Sequence, residues 1–509
     1  MKLLLSSRSN SDSFFKQSVY ILLLPLFFLL HCYNELFGFI PFSYMLLFYV
    51  CAIVFAGMVL GMAWFVTRSL VKSLFITFCC LVLALFWGAW HDFIKSFARD
   101  TLGRYSILLP VTIVLIFLFT RYFVKRPEKL VKLSKYLRLL LVFLCFFEVF
   151  SLLMNYHQFR KDNNQIYPFR PINEAYSSCN QPDSLKPDIY FIIFDEYTNN
   201  RSLRELWGFD NSSVTDWLST KGFFIPDSSK ANYSFTPYSL STTFNMNYIP
   251  VRKGKVNDLP HYILKALKSL SYNETFDLLQ KEQYQMRVFT PFKSPYQQAD
   301  IIHELDHFAG KKLYYHTLFG RFIIDVGWHF KPVDKSIYTN NNPITKWQER
   351  AEDMELITKR IKSTANDSAN RPPQFVYGHL MTTHIPHIYD EAGKVRTVAD
   401  GASGKTHFDT YINQVKMANK SIQDIVDHVL SHNRKNTVII LMGDHGYRRL
   451  PDELSRHFFS IFSAFYFPDR NYPATLSNIS AVNTFRIVFN QYFCQNLSLL
   501  KDSSIIVKY

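Results

Sequence analysis

Residues 437–446 read TVIILMGDHG, and the fold follows from how this stretch is taken. Residues 438–442 are apolar and rich in β-branched types, which predicts a buried parallel strand, and Gly443 and Gly446 let the backbone turn sharply beyond its carboxyl end. Asp444 and His445 then stand at the strand tip. In open α/β sheets ligands bind at that tip, and a carboxylate beside an imidazole is a donor pair suited to Zn²⁺ or Mn²⁺. A surface Asp-His turn would read the same way, so the rest of the chain has to decide.

Working outward, the pattern recurs. Residues 189–194, IYFIIF, form a second short apolar run of strand type that ends in Asp195 and Glu196. Two buried strands stopping at acids, far apart in sequence, predict one shared site. A third run, FVYGH at 375–379, ends in His379, and LMTTHIPH adds His384 and His387 just past it. Three histidines within nine residues beyond a strand end predict a ligand or phosphate-binding cluster. The helix expected over 408–430 carries an apolar stripe at Ile412, Val415, Ile422, Val426 and Val429 and leads into the 438–442 strand, completing a strand, helix, strand crossover. An edge strand at 464–467 and a closing helix at 484–493 follow, with His457 between them and the metal strand.

Between the first two strands, residues 231–250 read ANYSFTPYSLSTTFNMNYIP. Thr236 and Pro237 are expected as the cap and first residue of a helix. A helix amino terminus also favours the negative charge that gathers on a hydroxyl and on an attacked phosphate, so the same place suits a nucleophile. A further motif, His303-Glu304-Leu305-Asp306-His307, matches the HExxH of zinc peptidases, but no Glu occurs from 308 to 348 as a third ligand. It is taken as a chance match on a solvated helix.

The front of the chain differs in kind. Of 509 residues 48% are hydrophobic, and the apolar mass is concentrated in five candidate membrane spans near 18–32, 44–65, 73–90, 105–120 and 137–154. Lys2, Arg8 and Lys16 precede the first span, Arg68 and Lys72 separate the second and third, and seven basic residues from Arg121 to Arg138 lie between the fourth and fifth. These loops are expected in the cytoplasm, which puts everything after Met154 outside it. No small-residue cleavage site follows the first segment, so it is read as a retained helix and not a signal peptide. The domains expected are 1–155 in the membrane, a linker along its surface over 156–186, and a catalytic domain over 187–509. The net charge of +15 is explained largely by the cytoplasmic loops, and no nucleic-acid motif accompanies it. Of seven cysteines, only Cys179 and Cys494 fall outside the span region, which permits one disulfide.

In this order, IYFIIFDEY, NYSFTPYSLSTTFNM, HLMTTHIPH and GDHG, followed by NTFRIVFNQYF, resemble the membrane-anchored sulfatase-like hydrolases and transferases of the alkaline phosphatase superfamily. The likeness is to bacterial phosphoethanolamine transferases and lipoteichoic acid synthases in particular. It implies five membrane helices followed by an exported α/β domain of alkaline-phosphatase-like fold with a central, mostly parallel sheet, held on the periplasmic or extracellular side of a bacterial cytoplasmic membrane. Residue by residue, it implies a metal, Zn²⁺ ahead of Mn²⁺, bound by Asp195, Thr236, Asp444 and His445, with Thr236 also the nucleophile. His379 and His384 match the family's HxxxxH segment, and His457 matches a histidine near the substrate phosphate or a second metal. Related transferases carry a single Glu where this chain has Asp195-Glu196, which leaves the choice of acid open. Thr236-Pro237-Tyr238-Ser239 lacks the Cys and Arg of the CxPxR-type motif of true sulfatases, arguing against sulfate ester hydrolysis.

The chemistry expected is transfer of a phospho-alcohol, phosphoethanolamine or phosphoglycerol, from a phospholipid donor to an envelope glycan or glycolipid through a phosphothreonine. A threonine hydroxyl becomes an effective nucleophile near neutral pH when a dication lowers its pKa. The alternatives are a phosphodiesterase or phosphatase with the same site, and a non-catalytic glycan-binding membrane protein.

Overall fold

The computed structural model describes residues 2–35, 37, 42–98, 103–163, 186–249, 260–292, 294–296, 313, 315–322, 343–367, 371–396, 406–433 and 436–507. The chain forms two compact units: Met1–Asn164 with Leu305–Asp334, and Gln165–Glu304 with Lys335–Tyr509. The stretch Leu305–Asp334 thus groups with the helical front of the chain, although the sequence reading left it in the catalytic domain.

The first unit holds helices α1 (Lys2–Glu35), α2 (Phe42–Thr67), α3 (Leu70–Ala98), α4 (Tyr105–Val124) and α5 (Pro127–Asn163). All five are long and apolar enough to cross a membrane, over Ser18–Glu35, Phe42–Thr67, Leu70–Ser96, Tyr105–Val124 and Pro127–His157. Their surfaces expose Leu47, Phe65, Val66, Phe117, Leu139 and Phe146, a density of apolar side chains that water does not tolerate and lipid does. α5 begins earlier and ends later than expected. Pro127 at its start favours helix initiation, and no Gly or Pro interrupts the chain before Met154, so Lys129, Lys132, Lys135 and Arg138 ride on the helix and not in a loop. At its other end residues 156–163 continue the helix, where a linker had been expected.

The second unit is built on a five-stranded sheet. Strands β1 (Asp188–Phe194), β3 (Gln285–Phe289), β4 (Gln374–Leu380), β5 (Thr437–Met442) and β6 (Ser463–Tyr466) run in the order β3-β4-β1-β5-β6. A two-stranded parallel sheet of β2 (Ser228–Lys230) and β7 (Asn478–Ser480) lies apart from it. The first four strands of the large sheet are parallel and β6 is antiparallel to β5. β1 is central, with Ile193 paired to His379 on one side and to Met442 on the other. The register therefore brings three carboxyl ends to one edge.

Both faces of the sheet are covered, which is why its strands read as unbroken apolar runs. Ile189, Phe191 and Ile193 share one core with Phe375, Val438 and Ile440 under the helix Thr236–Asn245. Tyr190, Ile192 and Phe194 share the other with Val376, Ile439 and Leu441 under helices Pro343–Thr364 and His407–His432. Each such buried side chain contributes about 1.5–3 kcal/mol relative to exposure. The last helix starts with a capping box in which Thr406 and Asp409 satisfy each other's backbone N–H groups. The HExxH match at 303–307 and Cys179 lie outside the described residues; Cys494 is disulfide-bonded.

Candidate active site

The backbone of the GDHG turn is set by packing. A Cβ on Gly443 would stand 2.3 Å from the Tyr197 carbonyl oxygen, and one on Gly446 would stand 1.9 Å from that of His457. Both N–H groups donate across this gap, Gly443 to Phe462 and Gly446 to Phe458. Close approach therefore requires the glycines, and the turn they make aims Asp444 and His445 at the end of β1.

There Asp195, Asp444 and His445 converge. One potential ligand atom from each lies within 4.8 Å of the others, and all three residues are buried. His445 Nε2 is 3.5 Å from Asp444 Oδ2 and 3.7 Å from Asp195 Oδ1. The other ring nitrogen, Nδ1, donates to the Gly446 carbonyl at 2.9 Å, which fixes the tautomer and turns the Nε2 lone pair into the site. Burial, with the nearby Arg448 charge, holds the imidazole well below its usual pKa, so it is neutral and able to ligate.

Thr236 completes the group. Its Oγ1 donates to Asp195 Oδ2 at 3.3 Å and stands 3.2 Å from His445 Nε2. The expectation that Thr236 caps its helix is corrected: Phe235 occupies the cap without a side-chain hydrogen bond, and Thr236 is the first helical residue, with Pro237 next. The hydroxyl is thereby released from the backbone and faces the carboxylates. Having one proton, it can satisfy Asp195 but leaves an oxygen lone pair against the His445 lone pair. Asp444 Oδ2 is buried with no hydrogen-bond partner. Electron-rich atoms facing one another without enough protons fit a divalent cation, and this donor set of two carboxylates, an imidazole and a hydroxyl suits Zn²⁺ or Mn²⁺.

Glu196 turns away from this group. Its backbone is left-handed at φ +65°, and its N–H donates to Asp444 Oδ1 at 2.9 Å. The carboxylate accepts the Arg448 N–H through Oε1 at 3.0 Å, and burial raises its pKa to about 7 against the pull of Arg448. Of the two acids left open by the sequence, Asp195 is the one grouped with Asp444 and His445.

The three histidines assigned to substrate are placed unequally. His379 is wholly buried behind Asp195, with Nε2 3.0 Å from Asp195 Oδ2 and Nδ1 2.9 Å from the Tyr377 hydroxyl. Both nitrogens are engaged, so it orients the acid. His384 is partly exposed; its Nδ1 donates to the Ile385 carbonyl at 2.6 Å, leaving Nε2 as an acceptor, and burial with Arg350 and Arg448 keeps it neutral. His457 packs in the 3₁₀ helix Asp452–Phe458 with Nδ1 2.8 Å from Ser202 Oγ and Nε2 3.7 Å from Glu205 Oε2. It is not among the three converging residues.

Several supporting residues escaped the sequence reading. Ser239 Oγ donates to the Asp444 carbonyl and Thr383 Oγ1 to that of Asp195, each at 2.5 Å. Arg350 donates to the carbonyls of Met381, His384 and Ile385 and so pins the histidine loop. Arg448 donates to the Ser234 carbonyl at 3.2 Å beside the Thr236 turn. Tyr377 was legible in principle, two residues before His379 on the same strand face. The others reach across the fold and leave no local signal.

The sulfatase family profile matches residues 236–485, from the threonine to the start of the closing helix Thr484–Tyr492; Asp195 lies ahead of the match. Among solved structures, the Zn complex of the C-terminal periplasmic domain of EptC from Escherichia coli aligns at 13% identity and a TM-score of 0.39, covering 63% of this chain and 87% of that one. The integral membrane lipooligosaccharide phosphoethanolamine transferase EptA of Neisseria meningitidis aligns at 12% identity and 0.39, covering 93% and 95%. An alkaline phosphatase superfamily protein of Vibrio parahaemolyticus aligns at 14% and 0.36, covering 64% and 72%. No curated protein matches the chain. Thr236, His379, His384, Asp444, His445 and His457 therefore all lie in the stretch that the sulfatase family profile matches, within the α/β unit of a chain whose front holds five membrane-capable helices.

Proposed function

We propose that the protein is a membrane-anchored, metal-dependent transferase that moves a phospho-alcohol group, phosphoethanolamine or phosphoglycerol, from a phospholipid to an envelope glycan or glycolipid. The observation that carries this reading is the Thr236 hydroxyl facing Asp195 and His445 beside the unpartnered Asp444 oxygen. Asp195, Asp444, His445 and Thr236 would hold the ion. A bound dication lowers the pKa of an alcohol and offsets charge on phosphoryl oxygens. Asp195, already the acceptor of the Thr236 hydrogen bond, receives its proton. Thr236 Oγ1 then attacks phosphorus, and the bond from phosphorus to the lipid glycerol oxygen breaks, that oxygen taking a proton from solvent as diacylglycerol leaves. His379 keeps Asp195 oriented, and the positive end of the helix Thr236–Asn245 favours negative charge on the phosphoryl oxygens. An acceptor hydroxyl displaces the phosphothreonine in the reverse sense. The five helices account for the tether that keeps such a site near lipid, with the α/β unit on the non-cytoplasmic side.

The test compares, by mass spectrometry, envelope lipids and glycans of cells carrying the gene, lacking it, or carrying Thr236→Ala. A phospho-alcohol mass increment present only with the intact gene supports the transferase. Identical profiles in all three would defeat it, and loss of phosphate or diester without a modified acceptor would identify a hydrolase.

A further inference from the structure

A short stretch from the middle of the chain is embedded among the membrane helices. Leu313, 4% exposed, packs with Phe28, Leu29 and Cys32 of α1, Met45 of α2 and Leu85 of α3. Three residues on, the His316 carbonyl accepts the Gly88 N–H of α3 at 2.9 Å. The approach is close enough that a Cβ on Gly88 would lie 2.4 Å from the Tyr315 carbonyl oxygen, so this helix needs glycine there to receive the segment. A single turn, Leu318–Arg321, follows, with Thr317 Oγ1 accepting the Gly320 N–H at 3.0 Å. Arg321 is 1% exposed, paired with Asp92 of α3, stacked on the Tyr315 ring and hydrogen-bonded to the Tyr315 carbonyl.

The level of this docking is set by the helices. At 1.5 Å per residue, Phe28 lies about 10 Å below the end of the α1 window at Glu35 and Met45 about 5 Å inside the start of α2. That is the depth of the headgroup and upper acyl region. Phe319 and Phe322 nonetheless stand 69% and 42% exposed, and Phe42, Tyr44, Trp90 and Phe93 near the ends of α2 and α3 are exposed as well. Aromatic side chains at that level form the interfacial belt of membrane proteins.

We propose that Leu313 and residues 315–322 belong to a re-entrant segment seated in one leaflet of the membrane, with Phe319 and Phe322 in contact with phospholipid. The segment ties the sequence between the α/β unit's two halves to the bilayer at a point separate from α5. The inference rests on the membrane reading of the five helices and is independent of the reaction.

The test uses the full chain in bilayers of phosphatidylcholine, with a fluorescent amino acid replacing Phe319 or Phe322. Lipid brominated in its upper acyl region is expected to remove about half of the emission at both positions, as for an apolar face sunk into the headgroup boundary, while aqueous iodide removes little. Quenching by iodide and not by bromolipid, or by neither, overturns the proposal. Gly88→Leu places a side chain where the Tyr315 carbonyl sits and is expected to move both probes from bromolipid-sensitive to iodide-sensitive. Unchanged bromolipid quenching in that variant would overturn the docking on α3.

Discussion

Glu148 in α5 and Asp444 at the tip of β5 are both buried carboxylates, 8% and 2% exposed, and their surroundings differ in one respect. Glu148 accepts from His31 Nδ1 at 2.8 Å and from Asn34 Nδ2 at 2.6 Å, so each oxygen has a partner. Asp444 accepts one backbone N–H through Oδ1, while Oδ2 has none and faces His445 Nε2 and the Asp195 carboxylate. Burial of an acid is thus compatible with two designs. In the helical unit the acid joins α1 to α5; in the α/β unit it is held ready for something positive.

The comparison is broken most severely at Thr236, the proposed nucleophile. Thr236→Ala is expected to lower kcat by at least about a thousandfold while the protein still binds metal and melts normally, since groups that act as a unit fail together. Thr236→Ser should recover part of that loss. Steady-state kinetics with metal analysis on the same preparations checks both, and an active Thr236→Ala enzyme would remove the covalent step.

Asp444→Asn separates the two designs directly. It should abolish tight metal binding and activity, yet in metal-free protein cost no more than about 1 kcal/mol, because the amide oxygen can still accept the Glu196 N–H while the uncompensated charge on Oδ2 is removed. Glu148→Gln should do the reverse, costing about 1–3 kcal/mol through its broken pairing with His31 while metal content stays unchanged. Denaturant titrations with and without chelator measure both. A large loss of metal-free stability in Asp444→Asn would show that Asp444 is a structural acid after all.

A smaller effect is expected behind the site. His379→Gln removes the ring that steadies Asp195 and should weaken metal affinity by about 10–100-fold, with KM for donor little changed. If KM rises and metal affinity does not, His379 touches substrate, as the family resemblance first implied.

Much of this arrangement was legible in the sequence because parallel strands buried on both faces are written as uninterrupted apolar runs, and the residue that ends each run has nowhere to go but the sheet edge. Residues 189–194, 375–379 and 438–442 each announced both a strand and a tip. What was not legible depends on contacts that no local pattern records. β3, QMRVF, alternates polar and apolar over only four residues, too short a run to stand out from the chain around it. Thr236 looked like a cap because a hydroxyl before Pro usually is one; only Asp195, 41 residues upstream, shows why its side chain points elsewhere. His379 could be placed at a strand end from sequence, but not behind the acid of the neighbouring strand. The return of Leu313 and residues 315–322 to the helical unit had no signal at all, since the segment is too short to read as a span and its partners lie more than two hundred residues away, at Gly88 and Asp92.

The central claim is that Thr236 carries the transferred group, and one measurement addresses it without reference to the acceptor. Metal-loaded protein is incubated with donor phospholipid alone, quenched in acid, digested, and the peptide containing residues 231–248 analysed by mass spectrometry. The expected product is that peptide with the added mass of the head-group phosphate, fragmenting to place it on Thr236, with no adduct in Asp444→Asn. Release of diacylglycerol with the peptide unmodified at every time point would contradict it.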